Sequence, residues 1–290
     1  MAGELTRAAI EAQPEWLAQV PTDRRLPEGR IVAVGCGTSF HAAQTSGYGV
    51  DALEFLLDPR PADVLVLVSH EGGTALVLEA AQAFAGPKWL VTGKPGSDLA
   101  ALADEVVFAT PDIEQSYCHT LAYTGAVATL AALRGEDVSW LPDAVAAQLA
   151  AERLPVSDHE RFLIAGAGRD WPTAQEAALK LREGVYIPTE AHRLEELLHG
   201  HLAAVDESVR CFVLEGEGRA VPRAAQAATA LRELGCDVTL VPTTHPVVDI
   251  VPFQLLTLDL AEARGTNPDL IRWDDPRWKR AHDATQLRGG

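Results

Sequence analysis

Short apolar runs, each closing in a turn of small polar residues, recur along this chain and predict its elements. Ile31 to Val34 and Val64 to Val68 are continuous apolar runs of strand length. The first runs into Cys36, Gly37, Thr38 and Ser39, the second into Ser69, His70, Glu71, Gly72, Gly73 and Thr74. Lys88 to Val91 and Val106 to Phe108 predict further strands, with helices filling the gaps. The later half repeats the order with Phe162 to Ala165, Cys211 to Leu214, Val238 to Val241 and Val251 to Leu258 as strands. Strands alternating with helices predict an α/β fold of parallel, covered sheets. The first strands of the two halves lie about 130 residues apart, which suits two domains and is too long for a solenoid.

These patterns set the expected boundaries: a helical segment over 1–28, a domain over 29–135, a linker over 136–158, a domain over 159–265 and an arm over 266–290. Glu4 to Val20 reads as a helix with Leu5, Ala8, Ala9, Ala12, Trp16 and Leu17 near one face and Pro14 as an interruption. The linker lies where Gly135, Glu136, Asp137 and Pro142 loosen the pattern, and the turn-rich arm, with Pro276 and two tryptophans, reads as a terminal arm or a lid.

Phe162 to Leu202 organises the rest. After Gly166, Gly168 and Arg169, Pro172 is expected at the first position of a helix, where its missing N–H costs nothing. On that helix Glu176, Lys180 and Glu183 share one face, and Ala174, Ala178, Leu181 and Val185 make the opposite, core-facing stripe. A second helical segment carries Leu194, Leu197 and Leu198 and closes at His199 and Gly200. On spacing alone this is an ordinary solvated helix face followed by a cation and glycine at a helix end.

Composition narrows the possible functions. The formal charge of −17 argues against nucleic acid or an anionic membrane as partner. It also requires local groups to draw in any anionic substrate. No apolar run approaches the roughly eighteen residues of a membrane span, and the start has no leader-like apolar region, so a soluble cytoplasmic protein is expected. Cys36, Cys118, Cys211 and Cys236 have no CxxC spacing and read as reduced thiols. The Gly35-Cys36-Gly37 turn can cradle an anion. It lacks the third glycine of a dinucleotide fingerprint, Phe40 standing where that residue would fall. His199 and His201 have no further ligands clustered with them, so no metal and no other cofactor is expected.

A strand, Gly-x-Gly-Arg, a proline, and then the residues Glu176, Ala178, Leu179, Lys180, Leu181, Glu183, Tyr186, Ile187, Glu190, Ala191, Glu196, Leu197, His199 and Gly200 resemble the second half of sugar isomerase (SIS) domain proteins. These include the isomerase half of glucosamine-6-phosphate synthase, aminosugar-phosphate deaminases and Amadori-product deglycases. Cys36 to Ser39 is similar to their sugar-binding turn, Ser69 to Thr74 to their phosphate loop, and His119 to Thr124 to a segment that closes over the sugar. The resemblance implies two tandem flavodoxin-like SIS domains, each a parallel sheet covered by helices. It implies Glu183 as the base that moves a proton between neighbouring carbons, and His199 as the ring-opening group reaching the site of a partner subunit in a homodimer. Lys180 would polarise the enediolate or orient Glu183. Cys36, Gly37, Thr38, Ser39, Ser69, His70, Glu71, Thr74, His119 and Glu176 would bind a small-molecule sugar or sugar phosphate.

Three departures qualify that picture. The phosphate loop of the sugar-6-phosphate enzymes reads Ser-Gln-Ser-Gly-Glu-Thr, whereas Glu71 here replaces a serine donor. A carboxylate beside a phosphate dianion is repelled by more than about 1 kcal/mol. Either Glu71 turns away, or His70 is protonated to compensate, or the ligand carries no phosphate there. The tail lacks the lysine that forms a Schiff base in the amidotransferases, since Lys279 is out of register and Ala281 falls nearest that slot. No glutaminase-type segment precedes the first strand. Isomerisation, or release of ammonia or an amine, is therefore expected over glutamine-dependent synthesis. The other reading is a non-catalytic SIS-type carbohydrate-binding module.

Overall fold

A computed structural model describes residues 2–285. Among the described residues nine parallel strands form two sheets. The first contains β1 (Ile31–Gly35), β2 (Gly49–Asp51), β3 (Val64–Val68), β4 (Lys88–Thr92) and β5 (Glu105–Phe108) in the order β2-β1-β3-β4-β5. The second contains β6 (Arg161–Gly166), β7 (Thr189–Arg193), β8 (Val209–Leu214) and β9 (Asp237–Val241) in the order β7-β6-β8-β9. Register follows the apolar runs: Ile31 faces Val64, Leu65 faces Lys88, and Phe162 lies between Thr189 and Arg210. The first order is that of flavodoxin-type sheets, and the second repeats it one strand short.

Helices clothe both sheets: α1 (Glu4–Leu17), α2 (Thr38–Thr45), α3 (Ala52–Leu57), α4 (Ala75–Ala83), α5 (Leu121–Leu133), α6 (Leu141–Leu149), α7 (Asp170–Val185), α8 (Leu194–Leu198), α9 (Ala220–Glu233), α10 (Pro246–Asp249), α11 (Val251–Arg264) and α12 (Pro276–Asp283). One apolar cluster joins Val66 and Val91 of the first sheet to Phe162 and Phe212 of the second through α5, α7 and α11. Every residue of α5 is buried, as befits a helix that is apolar nearly all round, Thr124 and Thr129 apart. The outer faces pack separately, the first sheet on α3 and α4 and the second on α8 and α9. Among the described residues no helix is long and apolar enough to cross a membrane.

The missing fifth strand marks the main correction. Val251 to Leu258, expected as a strand, lies in the fourteen-residue helix α11. A short apolar run fits a buried helix as well as a buried strand, and length and Pro252 in the first turn decide for helix here. Phe253 shows no exposed surface and meets the Phe212 ring edge-on at 5.5 Å. Truncating it to alanine costs roughly 3–5 kcal/mol.

Smaller corrections have local causes. The expected linker contains α6, whose Leu141 and Val145 are buried against the core. In α1 the buried face is Thr6, Ile10, Gln13 and Leu17, and Leu5 is 47% exposed. Polar Thr6 and Gln13 hid this face, because they bond inward to Asp269 and Gln254. The helix runs through Pro14 without stopping. Pro172 is third in α7, still within the turn where no N–H donor is needed.

Candidate active site

β1 and β3 are neighbours whose following segments run to opposite sides, because β2 pairs on the far edge of β1 and β4 beyond β3. Such a switch point opens a crevice at the strands' carboxyl ends. Here the turn Cys36 to Ser39 and the loop Ser69 to Thr74 meet there, walling a cavity of about 480 Å³. Lys94, Asp98, His119, Leu179, Glu183 and His282 complete it. Gly72 holds the loop with φ at 67°, and a Cβ there would lie 2.0 Å from the Ser97 hydroxyl. Ser69 accepts from the Gly72 N–H at 3.2 Å and lies 3.2 Å from the Thr74 hydroxyl, so the loop is braced from within.

α7 enters this crevice sideways. Its face of Glu176, Lys180 and Glu183 is covered by α2, which explains why a charged face is buried. Lys180 has no exposed surface, and its ammonium donates to Glu183 at 2.6 Å, to His119 O at 3.0 Å and to Thr38 Oγ1 at 3.2 Å. It also pairs with Glu176 at 3.4 Å. Burial opposes its charge, yet Glu176 and Glu183 outweigh that and hold its pKa well above the ordinary lysine range. Such an ammonium cannot act as a neutral amine nucleophile. Glu176 accepts from Thr38 at 3.1 Å and lies 2.7 Å from His41 Nδ1. Burial pushes its pKa up, and Lys180 and His41 pull it net below the ordinary value. Glu183, with a quarter of its side chain exposed toward the cavity, is the reverse case. Burial raises its pKa and Lys180 only partly offsets this.

A second buried acid organises the opposite wall. Glu114 accepts from Thr120 N at 2.8 Å, Ala122 N at 2.8 Å and the Thr120 hydroxyl at 2.9 Å, capping the start of α5. Its own N–H donates to His70 Nε2 at 2.9 Å. Burial pushes the His70 pKa down to about 4, so the ring is neutral with its proton on Nδ1. This removes a protonated His70 as the compensating charge for Glu71. Glu71 itself is exposed at the cavity wall. The Cys36 thiol is raised to about 11 by burial and then by Asp51, which keeps it neutral.

The structure thus brings Cys36, Gly37, Thr38, Ser39, Ser69, His70, Glu71, Thr74, His119 and Glu183 to one cavity. Lys180 and Glu176 lie beneath its floor and touch it through Thr38 and Glu183. His199 is not part of it within one chain, being 74% exposed on its side chain and paired with Glu195 at 3.1 Å. Sequence reading missed His41, Glu114, Lys94, Asp98 and His282. Lys94 and Asp98 follow β4 in a Gly-Lys-Pro-Gly turn that could have been flagged as a third strand-end loop. Nothing in spacing marks Glu114 or His282, which arrive by tertiary packing.

Residues 156–268 match the SIS domain family. The matched stretch supplies β6 to β9, α7 and its face of Glu176, Lys180 and Glu183, and the crevice it closes lies on the first sheet. Over most of its length the chain is similar to glutamine–fructose-6-phosphate aminotransferase (isomerizing) of Pyrococcus horikoshii, 27% identical over 304 residues covering 84% of this chain and 50% of that protein. The Bacillus spizizenii protein of the same name is 29% identical, again over 84% and 50%. The chain therefore spans about half the length of these relatives. The C-terminal domain of glucosamine-fructose-6-phosphate aminotransferase from Francisella tularensis superposes with a TM-score of 0.77 at 21% identity, covering 92% of this chain and 98% of that one. Glucosamine-6-phosphate deaminase from Thermotoga maritima also gives 0.77, at 20% identity over 92% and 97%. At those identities the superpositions speak for the fold.

Proposed function

We propose that this chain is an enzyme of sugar or phosphosugar chemistry that moves a proton between neighbouring carbons through an enediol or enolamine. Aldose–ketose isomerisation and aminosugar deamination or deglycation share that step. The observation that carries the reading is Glu183, a carboxylate facing the cavity, raised in pKa by burial and held 2.6 Å from a permanently charged ammonium. A carboxylate whose pKa is raised is a stronger base, suited to removing a proton alpha to a carbonyl and returning it one carbon away. Lys180 fixes the Glu183 oxygen and offsets negative charge developing nearby. Its own charge rules it out as the imine-forming lysine, so the step proposed here is direct enolisation.

The relatives' names speak of fructose 6-phosphate and glucosamine 6-phosphate, which makes such sugars the first candidates. We read the chain as a tandem of SIS domains over 29–135 and 159–265, joined by 136–158, with a helical segment over 1–28 and an arm over 266–290. The matching strand orders of the two sheets support that division. His199 is assigned as the ring-opening acid and base of a second copy's site, in a homodimer. Its exposed place on the chain surface suits delivery to a neighbour.

The test is incubation in deuterium oxide with fructose, glucosamine and their 6-phosphates. Deuterium entering the carbon beside the carbonyl supports the enzyme. Ligand binding without any exchange would instead make the chain a non-catalytic carbohydrate-binding module.

A further inference from the structure

The chain returns to the cavity at its last helix. α12 has no buried residue, and its first turn is capped by Asp275, which accepts from the Arg277 N–H at 2.8 Å. Aromatic rings hold it in place. Trp273 packs against Tyr117 at 5.7 Å and meets Trp278 edge-on at 4.8 Å, and His282 stacks on Trp278 at 5.1 Å with the ring planes 24° apart. Trp278 and His282 are four residues apart and so share one face of the helix. Trp278 borders a groove at the end of α7 that includes Glu183, while His282 borders the sugar cavity that also includes Glu183. α12 therefore lies across the carboxylate assigned to the carbon-bound proton.

That carboxylate alone leaves the reaction unfinished. When Glu183 removes a proton beside a carbonyl, the C–H electron pair becomes the new C=C bond and the displaced carbonyl pair on oxygen calls for a proton. The other cationic and imidazole groups around Glu183 are committed elsewhere. Lys180 donates to Glu183, to His119 O and to Thr38, and its neighbouring acids hold its proton fast. His70 accepts the Glu114 N–H on Nε2 and is kept neutral by burial. His119 turns Nδ1 toward Glu114 on the opposite wall, 4.0 Å away. The His282 ring, by contrast, takes no hydrogen bond from the described residues, and its stack on Trp278 fixes the plane of the imidazole.

We propose that His282 is the catalytic acid and base for the oxygen-bound proton, working opposite Glu183 within the same chain. The inference rests on the functional reading above, which gives Glu183 the carbon-bound proton. With an open-chain ketose, the imidazolium of His282 gives its proton to the C2 carbonyl oxygen as Glu183 takes one from C1, and the enediol forms. The imidazole then takes the proton of the C1 hydroxyl as Glu183 returns its own to C2, which leaves the aldose. Both side chains end as they began. Histidine suits this work because it gives and takes a proton near neutral pH. Ring opening, assigned to His199, precedes this step.

The test uses the full chain in deuterium oxide with fructose, glucosamine and their 6-phosphates, alongside calorimetry with glucitol and glucitol 6-phosphate, which have no carbonyl to react. His282→Ala should slow exchange beside the carbonyl by about a hundredfold or more and leave glucitol affinity within about twofold. Free imidazole should restore exchange in His282→Ala roughly tenfold, in proportion to its concentration. His282→Phe keeps an aromatic ring on Trp278 without a proton to give, so it should be as slow as His282→Ala and gain nothing from imidazole. Near wild-type exchange in either variant, a loss that imidazole does not repair in His282→Ala, or a loss of affinity equal to the loss of exchange overturns the inference. In each of those cases wild-type exchange leaves the functional reading standing. Absence of exchange in the wild-type chain with all four sugars overturns both.

Discussion

Lys180, with no exposed surface, donates a 2.6 Å hydrogen bond to Glu183, whose carboxyl is nonetheless raised in pKa by its own burial. The ion pair thus positions a base while only partly offsetting the rise that burial gives its pKa. Lys180→Met should leave Glu176 and Glu183 without their counter-charge. The expected loss is roughly 3–5 kcal/mol of stability, with the activity profile moved to higher pH. Denaturant unfolding and a pH–rate profile measure both, and wild-type values in each would contradict the role given to Lys180.

Glu71 stands at the cavity wall where a phosphate loop would offer a hydroxyl. Glu71→Ser should tighten binding of a sugar 6-phosphate several-fold, the size of removing about 1 kcal/mol of repulsion. Calorimetry reads this directly. An unchanged dissociation constant would show that the carboxylate faces away from the ligand.

Two buried groups titrate with opposite effects. His70 is lowered to about 4 by burial, so the unfolded chain takes up this proton first as pH falls. Its contribution is complete above about 6.5 and lost as pH falls toward about 4. Asp249 is raised to about 7, by burial and then by its neighbour Asp170. The folded chain keeps that proton longer, so its contribution is complete below the ordinary carboxyl range and lost as pH rises to about 7. Unfolding of Asp249→Asn between pH 4 and 8 should lack up to about 1.4 kcal/mol per pH unit of wild-type decline. Identical pH slopes for the two proteins would refute this.

If His199 serves a neighbouring copy, Glu183→Gln and His199→Ala chains, each inactive alone, should complement. Random mixing after joint refolding makes half the dimers hybrid with one intact site each, giving about a quarter of wild-type activity. No recovery would place His199 outside the shared site.

Much of this architecture is legible in the sequence because the apolar strand runs and the turns that close them are local signals. The turns at Cys36 to Ser39 and Ser69 to Thr74 and the spacing of Glu176, Lys180 and Glu183 lead straight to the crevice. What stayed hidden depends on contacts between distant segments. Val251 to Leu258 is apolar except for Gln254 and Thr257, and its helix packs against α7 in the shared core. Glu114 reads as a loop acid until it caps α5 and orders His70. Thr6 and Gln13 look solvent-facing until Asp269 and Gln254 meet them.

The most direct test of the central claim is Glu183→Gln, comparing deuterium exchange beside the sugar carbonyl with ligand affinity by calorimetry. Proton transfer by Glu183 predicts exchange at least a thousandfold slower with affinity nearly unchanged. Exchange at the wild-type rate, or a loss of affinity equal to the loss of exchange, would contradict it and leave Glu183 a structural partner of Lys180.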